Sequence, residues 1–478
     1  MFDEELPILS ELVDPPIIQG AAPLAALVAD GTPVDQMIAS LSGPFATEHT
    51  MLAAAFDTSV LAFLSARRDL GLALQHDVLA TCRVLRMAPG PGIDDTDIPL
   101  RVLAFAAPGD LQMNMPIEFI THHLNVRLDM LYVLPNQELP RLVPDHDVAI
   151  CIISDSDPGA LMHLIPILNR WPRPVLNNPG HVAEGRIEDL TRDGIARLFA
   201  TTPGIMAPAT VWRTRTEIAE WLQASLPIAT LVPGAQWPLL VRPVGSHAGR
   251  MLERLNNPDE LKVYIDSLSA GRFYLSSFVD YRSPDGFYRK HRVALIDGSP
   301  MLCHMAISDH WMIHYLNAGM TESTAKRADE ALAMANFDQD FGHRHRDAFA
   351  ALHCSLGLDY VILDCGEAPD GRLLLFEVEM AAIVHLLDPI ALFAYKQPQM
   401  RRVFRAFSAL LDRIAATRPG LSPGSIGSAS RRHSPPAGQP EDPVQPLYSR
   451  QPMRDQNDAP RIGRGIQRGQ EVPFGVRI

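Results

Sequence analysis

The pattern of apolar and polar positions changes twice along the chain. Up to about Pro91, apolar residues recur at helical spacing, as over residues 51–56 and 60–64, with no strand-like alternation. From Leu100 onward, short β-branched runs alternate with helical ones. The pattern predicts a small helical domain over residues 1–95, followed by an α/β domain over residues 96–184.

The predicted strands of the second domain are residues 101–106, 128–133, 148–153 and 174–177. They are apolar on both faces, which is typical of a parallel sheet covered by helices. Helical stretches near 116–124 and 158–168 complete βαβ units, so we expect a small doubly wound domain. Such a domain presents ligands at the carboxyl ends of its strands.

The composition changes again at Thr417, where Pro, Gly, Ser, Gln and Arg become dominant. A segment of this kind buries too little apolar surface to offset its conformational entropy, so residues 417–478 are predicted to be a disordered, mildly basic tail. The tail either contacts RNA or an acidic partner or stays a passive, solvated extension.

Composition and charge restrict the class of protein. Hydrophobic residues make up 47% and charged residues 20% of the 478 residues, which is typical of a soluble globular protein. The net charge of −13 argues against nucleic-acid or membrane binding by the main body. The acidic N-terminus and the lack of a long apolar run predict neither a signal peptide nor a membrane anchor. The five cysteines form no CxxC pair, and we expect a cytoplasmic protein.

The most informative segment runs from Leu358 to Glu379, where two apolar runs flank Asp370-Gly371. This dipeptide favours a two-residue hairpin turn, which would pair Asp364 with Glu377. Glu379 would share the face of Glu377, because side chains alternate along a strand.

Three carboxylates on otherwise apolar strands repel one another unless a cation lies among them. Oxygen ligands of this kind suit Mg²⁺ or Mn²⁺, with phosphate oxygens completing the coordination. The sequence therefore predicts a metal site at Asp364, Glu377 and Glu379 that carries a nucleotide. The alternative is an exposed edge hairpin with its acids in water.

Two further segments have a weaker signal. At residues 237–250 a strand ends in Arg242 and enters a Gly-rich turn whose amides can wrap phosphate oxygens, although such turns are common. At residues 273–298 two strands are separated by a loop. There, Phe278 and Val279 could flank a flat base while Asp280 accepts a hydrogen bond from a ribose, or the three residues are ordinary core and turn.

In their order, the three segments resemble the ATP-grasp superfamily, in the branch of glutathione synthetase, D-alanine:D-alanine ligase and the ligases that add glutamate to peptides. The resemblance covers residues 185 to about 404 and implies an ATP-grasp domain over 185–416, preceded by the small α/β domain. The fold class is thus α/β, or α+β overall.

The resemblance implies roles for individual residues. It assigns nucleotide binding to Arg192 and phosphate binding to Arg242 and the Gly-rich turn that follows it. It assigns adenine binding to the end of the strand at Ser277 and a catalytic role to Arg292. Asp364, Glu377 and Glu379 would bind the metal. The implied ATP-binding residues are Arg192, Arg242, Gly245, Ser246, His247, Gly249, Ser277, Phe278, Val279 and Asp280. Arg242 stands where the family has Lys, Ser277 where it has an acid, and Glu379 where it has Asn.

The function that the resemblance implies is an ATP-dependent carboxylate–amine (or thiol) ligase with an acyl-phosphate intermediate and Mg²⁺ or Mn²⁺. Its substrates would be small-molecule or peptide carboxylates and amines. One alternative is a catalytically weak nucleotide-binding scaffold that holds a protein partner through its helical N-terminus or basic tail. Another is a phosphotransferase acting on a small hydroxyl substrate.

Overall fold

The computed structural model describes residues 6–91, 100–154, 158–184, 190–246 and 249–417. The first region of the chain folds around a six-stranded sheet. Its elements are β1 (Ile8–Ser10), β2 (Ile17–Ile18), α1 (Ala21–Ala29), α2 (Val34–Leu41), α3 (Glu48–Leu64), α4 (Arg68–Thr81), β3 (Val84–Met87), β4 (Leu100–Ala106), α5 (Glu118–Thr121), β5 (Val126–Tyr132), β6 (Leu142–Pro144), β7 (Val148–Cys151), α6 (Pro158–Leu168) and β8 (Val175–Leu176).

The strand order of this sheet is β2-β3-β5-β4-β7-β8, and all neighbours are parallel except β3 and β5. Its central strands are buried on both faces, as the continuous apolar runs of the sequence predicted. The short strands β1 and β6 form a separate parallel pair.

The N-terminal segment is not an independent helical domain, so this part of the sequence prediction is wrong. The helices are present, but β2 and β3 belong to the six-stranded sheet. Leu24 of α1 and Phe56 of α3 pack in one hydrophobic core with Val102 of β4. The buried carboxylate of Asp57 also accepts hydrogen bonds from the backbone amides of residues 19 and 20, which fixes α3 against the end of β2.

The second region contains two more sheets. Its elements are α7 (Arg192–Leu198), β9 (Ile205–Met206), β10 (Thr210–Thr214), α8 (Arg215–Ala224), α9 (Ile228–Leu231), β11 (Leu239–Pro243), β12 (Glu253–Leu255), α10 (Pro258–Asp266), β13 (Arg272–Ser277), β14 (Tyr288–Ile296), β15 (Ser299–Ser308), α11 (Thr324–Asn336), α12 (Phe341–Arg344), α13 (Arg346–Leu356), β16 (Tyr360–Glu367), β17 (Leu373–Glu379), α14 (Ile390–Phe393) and α15 (Lys396–Ala415).

One of these sheets has four antiparallel strands in the order β10-β13-β11-β12. The other has the order β15-β14-β16-β17-β9, with only β9 parallel to its neighbour. Residues 278–287 connect β13 of the first to β14 of the second. The mixed α/β fold predicted from the sequence is confirmed, and the predicted disordered tail lies outside the described residues, apart from Thr417 at its start.

The hairpin of β16 and β17 has the predicted pairing but not the predicted turn. Asp364 lies opposite Glu377. The turn has three residues, Pro369 to Gly371, closed by a hydrogen bond from the Ala368 amide to the Arg372 carbonyl (2.9 Å), and Gly371 has a φ of 83°. A β-bulge at Phe376 then shifts the register by one residue. Without this bulge, Asp364 would lie opposite Phe376.

In the part of the chain that the structure describes, no helix is both long enough and apolar enough to cross a membrane.

Candidate functional site

The centre of the candidate site is the carboxylate of Asp364 on β16, which is bound by two cations from β14. Arg292 Nε donates to Oδ1 at 2.8 Å and an Arg292 terminal nitrogen donates to Oδ2 at 3.0 Å. Lys290 Nζ donates to Oδ2 at 2.8 Å. Arg292 is the cross-strand neighbour of Asp364, and Lys290 shares its face because it lies two residues earlier on the strand.

Burial and charge act in opposite directions on these groups. Burial alone raises the pKa of Asp364, but Arg292 and Lys290 outweigh it and hold this pKa well below its usual range. Burial lowers the pKa of Arg292, and the nearby Asp364 carboxylate raises it above its usual value. Both partners are therefore fully charged at neutral pH.

The two glutamates of β17 lie beside this ion pair. Glu377 forms a salt bridge with Arg192, which lies at the start of α7. Burial, the charge of Glu377 and a hydrogen bond to that residue raise the pKa of Glu379 well above its usual value. Arg292 and Asp364 also act on the Glu379 carboxyl, so the three acids and their cations form one electrostatic cluster.

The three carboxylates do not form one metal-binding group. Across the described ranges, no set of three or more His, Cys, Asp or Glu side chains is arranged to hold a metal ion. Clustered acids need a compensating cation, and the protein supplies its own at Asp364 through Arg292 and Lys290. The prediction of a three-carboxylate metal group is wrong in this respect. Glu377 and Glu379 remain as a carboxylate pair.

Arg242 approaches the same cluster from the four-stranded sheet. It is the penultimate residue of β11 and is 9% exposed. Burial and the charge of Arg192 lower its pKa to about 10, while the charges of Glu377 and Glu379 act in the opposite direction. The four-stranded sheet, helix α7 and the five-stranded sheet thus bring Arg242, Arg192 and the β17 acids together.

The turn after Arg242 folds back onto its guanidinium. Arg242 Nε donates to Ser246 Oγ at 2.9 Å, and a terminal nitrogen of the same guanidinium donates to the Ser246 carbonyl. Gly245 and Gly249 have φ values of 83° and 69°, a conformation that favours glycine. A Cβ at Gly245 would meet no other atom within 4 Å, so this part of the turn faces open space. His247 lies outside the described residues.

The predicted base-binding residues lie in and next to the connection between the two sheets. Ser277 ends β13, opposite Leu239. The ring of Phe278 lies under the Arg254 guanidinium at 4.3 Å and edge-on to Trp311 at 5.7 Å. Val279 packs partly buried in an adjoining apolar core, and Asp280 is exposed. None of these contacts reaches the acidic cluster.

Sequence reasoning missed Lys290, although a signal for it was available. Once Arg292 was placed opposite the acidic hairpin, the alternation of β14 already put Lys290 on the same face. The contact could not be read directly, because Lys290 and Asp364 are 74 positions apart in the chain.

The fold and site together define a mixed α/β protein with a cluster of ion pairs between two antiparallel sheets. No protein-family profile matches this chain, and no curated protein matches it significantly.

Solved structures that resemble the chain include several ATP-grasp ligases. D-alanine–D-alanine ligase from Bacillus anthracis, complexed with ATP, has 13% identity and a TM-score of 0.38, over 66% of this chain and 97% of the ligase. A RimK domain ATP-grasp protein from Sphaerobacter thermophilus has 13% identity and a TM-score of 0.35, over 66% of this chain and 98% of that protein. The ligase PsnB, complexed with minimal precursor, Mg and ADP, has 14% identity and a TM-score of 0.32, over 62% of this chain and 98% of PsnB. At these TM-scores the superposition is loose, and the assignment of the site rests on its own contacts.

Proposed function

We propose that the protein is an ATP-dependent carboxylate–amine ligase whose reaction takes place at the cluster between the two antiparallel sheets. The observation that carries this proposal is the approach of Arg242 and Arg192 to Glu377 and Glu379, next to the Arg292–Asp364 pair. Three guanidinium groups near a carboxylate pair suit a metal-bound polyphosphate, because Arg binds phosphate oxygens bidentately. The resemblance of the three sequence segments to ATP-grasp ligases supports the same assignment.

In this proposal the nucleotide lies between the sheets. Arg242, Arg192 and the turn containing Gly245, Ser246 and Gly249 bind its phosphates, and the contact from Arg242 to Ser246 keeps the turn and the guanidinium together. The connecting segment with Ser277, Phe278, Val279 and Asp280 holds the base and the ribose. His247 belongs to the same proposed turn.

The donor set fits a divalent metal at two carboxylates instead of three. Mg²⁺ usually binds one or two protein carboxylates and completes its coordination with water and substrate phosphates. The pair of Glu377 and Glu379 matches this, since Arg192 forms its salt bridge with Glu377, while burial and the charge of Glu377 raise the pKa of Glu379. When bound there, Mg²⁺ or Mn²⁺ would supply positive charge to the phosphates. Asp364 instead holds Arg292 and Lys290 in position.

The proposed chemistry has two steps. An oxygen of the substrate carboxylate attacks the γ-phosphorus of ATP, forming a P–O bond as the bond to ADP breaks. The amine nitrogen then attacks the acyl carbon of the acyl phosphate, inorganic phosphate leaves, and the amine loses a proton. We assign to Arg292 the stabilisation of the negative charge on the acyl oxygen in the second step. The bidentate contact with Asp364 fixes the Arg292 guanidinium, so this side chain needs little reorganisation during the reaction.

A nucleotide-binding scaffold is the second candidate, and one observation favours it. Asp364 is engaged by two cations and Glu377 by a third, so these two acids are neutralised without any metal. In that case ATP would stabilise the protein without being consumed.

ADP formation by the purified full-length chain, with ATP, Mg²⁺ and a broad panel of acids and amines, tests the proposal. We expect ADP release that depends on both an acid and an amine and is lost in Glu377→Gln. The matched control, Glu220→Gln on the exposed surface of α8, should be unaffected. Thermal stabilisation by ATP without turnover across the panel would favour the scaffold instead.

An isotope experiment distinguishes the ligase from a phosphotransferase. A substrate carboxylate labelled with oxygen-18 should transfer one labelled oxygen to inorganic phosphate, because the acyl C–O bond breaks in the second step. A stable phosphorylated hydroxyl product would contradict ligation.

A further inference from the structure

A cavity lies on the face of the five-stranded sheet opposite to the candidate site and shares no residue with that site. Its volume is about 550 Å³, which is within the range of small-molecule sites. Strand β14 separates the two sites. Lys290 and Arg292 point toward Asp364, whereas the alternate residues Arg289 and His291 line the cavity.

One wall of this cavity is aromatic. The imidazole of His291 stacks on the ring of Phe341, with centroids 4.1 Å apart and planes 20° apart. Phe337 also stacks on Phe341, with ring centroids 6.0 Å apart. Tyr281 also lines the cavity. A planar ligand in the cavity can pack against this aromatic wall in an edge-to-face or offset arrangement.

His291 is an unsatisfied polar group at this wall. His291 is 7% exposed, and its buried Nδ1 has no hydrogen-bond partner in the described part of the chain. Burial lowers the pKa of His291 to about 3, so the ring is neutral near pH 7. Other buried polar atoms of the described residues also lack a partner, but His291 lines a cavity, where a ligand can supply the missing hydrogen bond.

The charged groups of the cavity leave an excess of carboxylate. Arg289 is bound by Asp285 (2.6 Å) and Asp329 (2.7 Å). Arg344 is bound by Glu367 (2.9 Å) and also by Asp340. All three nitrogens of each guanidinium are engaged by these acids. Neither arginine is therefore free to bind an anionic ligand.

The carboxylates, by contrast, keep acceptor capacity. Three of them line the cavity (Asp329, Asp340 and Glu367), against two guanidinium groups. A hydrogen bond from His345, together with Arg344, lowers the pKa of Glu367 to about 2, so it stays ionised. Each ionised carboxylate has about four lone-pair positions, and the arginines do not fill all of them.

We propose that this cavity binds a small aromatic cation, that is, a planar ring carrying a protonated amine. The ring packs against Phe341 and its neighbours, and the ammonium group donates to the carboxylates at the rim.

Isothermal titration calorimetry of the full-length protein with tyramine tests this proposal. The comparison ligand is 4-hydroxyphenylacetate, which has the same ring and a similar length but the opposite charge. We expect tyramine to bind with 1:1 stoichiometry and 4-hydroxyphenylacetate to bind more than about tenfold more weakly, because the lining carries net negative charge. This comparison uses the unaltered chain and needs no variant to fold.

A pair of variants locates the site. Leu332 lies at the rim of the cavity on α11 and is 62% exposed, so Leu332→Lys adds a positive charge without disturbing the core. It should weaken tyramine binding roughly tenfold. Val263→Lys, at a position on α10 that is 70% exposed, should leave binding unchanged. Excess ATP should not compete.

Several results would overturn the proposal. These are no tyramine binding at millimolar concentration, equal binding of 4-hydroxyphenylacetate, unchanged binding in Leu332→Lys, or competition by ATP. The last result would place tyramine in the candidate site between the two antiparallel sheets.

Discussion

Arg292 and Asp364 face each other across neighbouring strands, and the guanidinium donates to both carboxylate oxygens at 2.8 and 3.0 Å. The side chain of Asp364 is only 5% exposed. This bidentate contact fixes the orientation of the guanidinium, while Lys290 supplies a second positive charge. Asp364 is thus the structural support of the arginine to which we assign catalysis.

Replacing Asp364 with Asn should destabilise the protein strongly. Lys290 and Arg292 would then be left close together without a compensating charge, and breaking a buried ion pair costs about 3–5 kcal/mol. The free energy of unfolding, measured by urea titration at pH 7, should fall by about this amount. The control, Asp370→Asn in the exposed turn, should leave the free energy of unfolding almost unchanged.

The difference in stability between the wild type and Asp364→Asn should depend on pH with a definite sign. The pKa of Asp364 is lower in the folded state than its ordinary value of 3.8, so its ionisation stabilises the fold above that value. The stabilisation is lost as the pH falls below 3.8 toward the folded pKa. The wild type and Asp364→Asn should therefore converge in stability at acidic pH. A difference that grows on acidification would contradict the assigned ion pair.

Replacing Glu379 with Gln should have the opposite effect on stability. Burial and Glu377 raise the pKa of Glu379 in the folded protein, so its ionisation opposes folding as the pH rises above the ordinary value of 4.5. Gln removes that penalty. The melting temperature of Glu379→Gln should exceed that of the wild type at pH 8, and the excess should shrink toward pH 4.

The same substitution should reduce the dependence of ATP binding on Mg²⁺, because one carboxylate of the proposed metal pair is lost. Mg²⁺ titration at fixed ATP, followed by thermal shift, measures this. A variant that is neither more stable nor altered in its Mg²⁺ response would show that Glu379 is not part of a charged pair.

Arg242 should contribute directly to nucleotide affinity. Arg242→Ala removes a charged donor near Glu377 and Glu379, and hydrogen bonds to charged groups contribute about 1.5–3 kcal/mol each. The Kd for ATP should rise by roughly ten- to a hundredfold, measured by calorimetry. Arg242→Lys should restore part of the affinity because it keeps the charge. Arg346→Ala, at a side chain that is 68% exposed on α13, is the control and should bind ATP normally.

A second buried charge pair lies between α11 and α15. Lys396 is 2% exposed, and its Nζ donates to the Tyr315 hydroxyl at 2.5 Å and lies 3.6 Å from Glu330. Glu330 is fully buried and also accepts from the Met305 amide (2.9 Å) and the Tyr395 hydroxyl (2.6 Å). This network ties the start of α15 to α11 and to the edge strand β15.

Lys396→Met should lower the free energy of unfolding by about 3–5 kcal/mol, because Glu330 loses its cation while still buried. Adding Glu330→Gln should recover part of the loss, since the uncompensated charge disappears. A double-mutant cycle by urea unfolding measures the coupling. Additive effects of the two substitutions would show that the side chains do not interact.

The sequence predicted strands well where they were long and continuous. The apolar runs of β4, β5 and β7 were found because each is buried on both faces and contrasts with its surroundings. Strands β2 and β3 were missed, because β2 has only two residues and neither strand shows an alternation of apolar and polar residues. Their place in the sheet depends on contacts with β5, which lies about forty positions beyond β3 in the chain.

The candidate site was predictable in its components but not in its charge balance. The hairpin showed that acids gather on one face, and the resemblance placed Arg242 and Arg292 near them. That Arg292 and Lys290 neutralise Asp364 depends on the pairing of β14 with β16, strands separated by more than sixty residues. A local motif cannot show which of several possible cations reaches a buried acid.

The bulge at Phe376 and the three-residue turn of the same hairpin compensate for each other, so that Asp364 still lies opposite Glu377. In a hairpin of the same length with a two-residue turn at residues 370–371, regular pairing alone would give the same alignment. A related chain of equal length with such a turn should therefore lack the bulge. The turn type and the bulge should be inherited together during evolution.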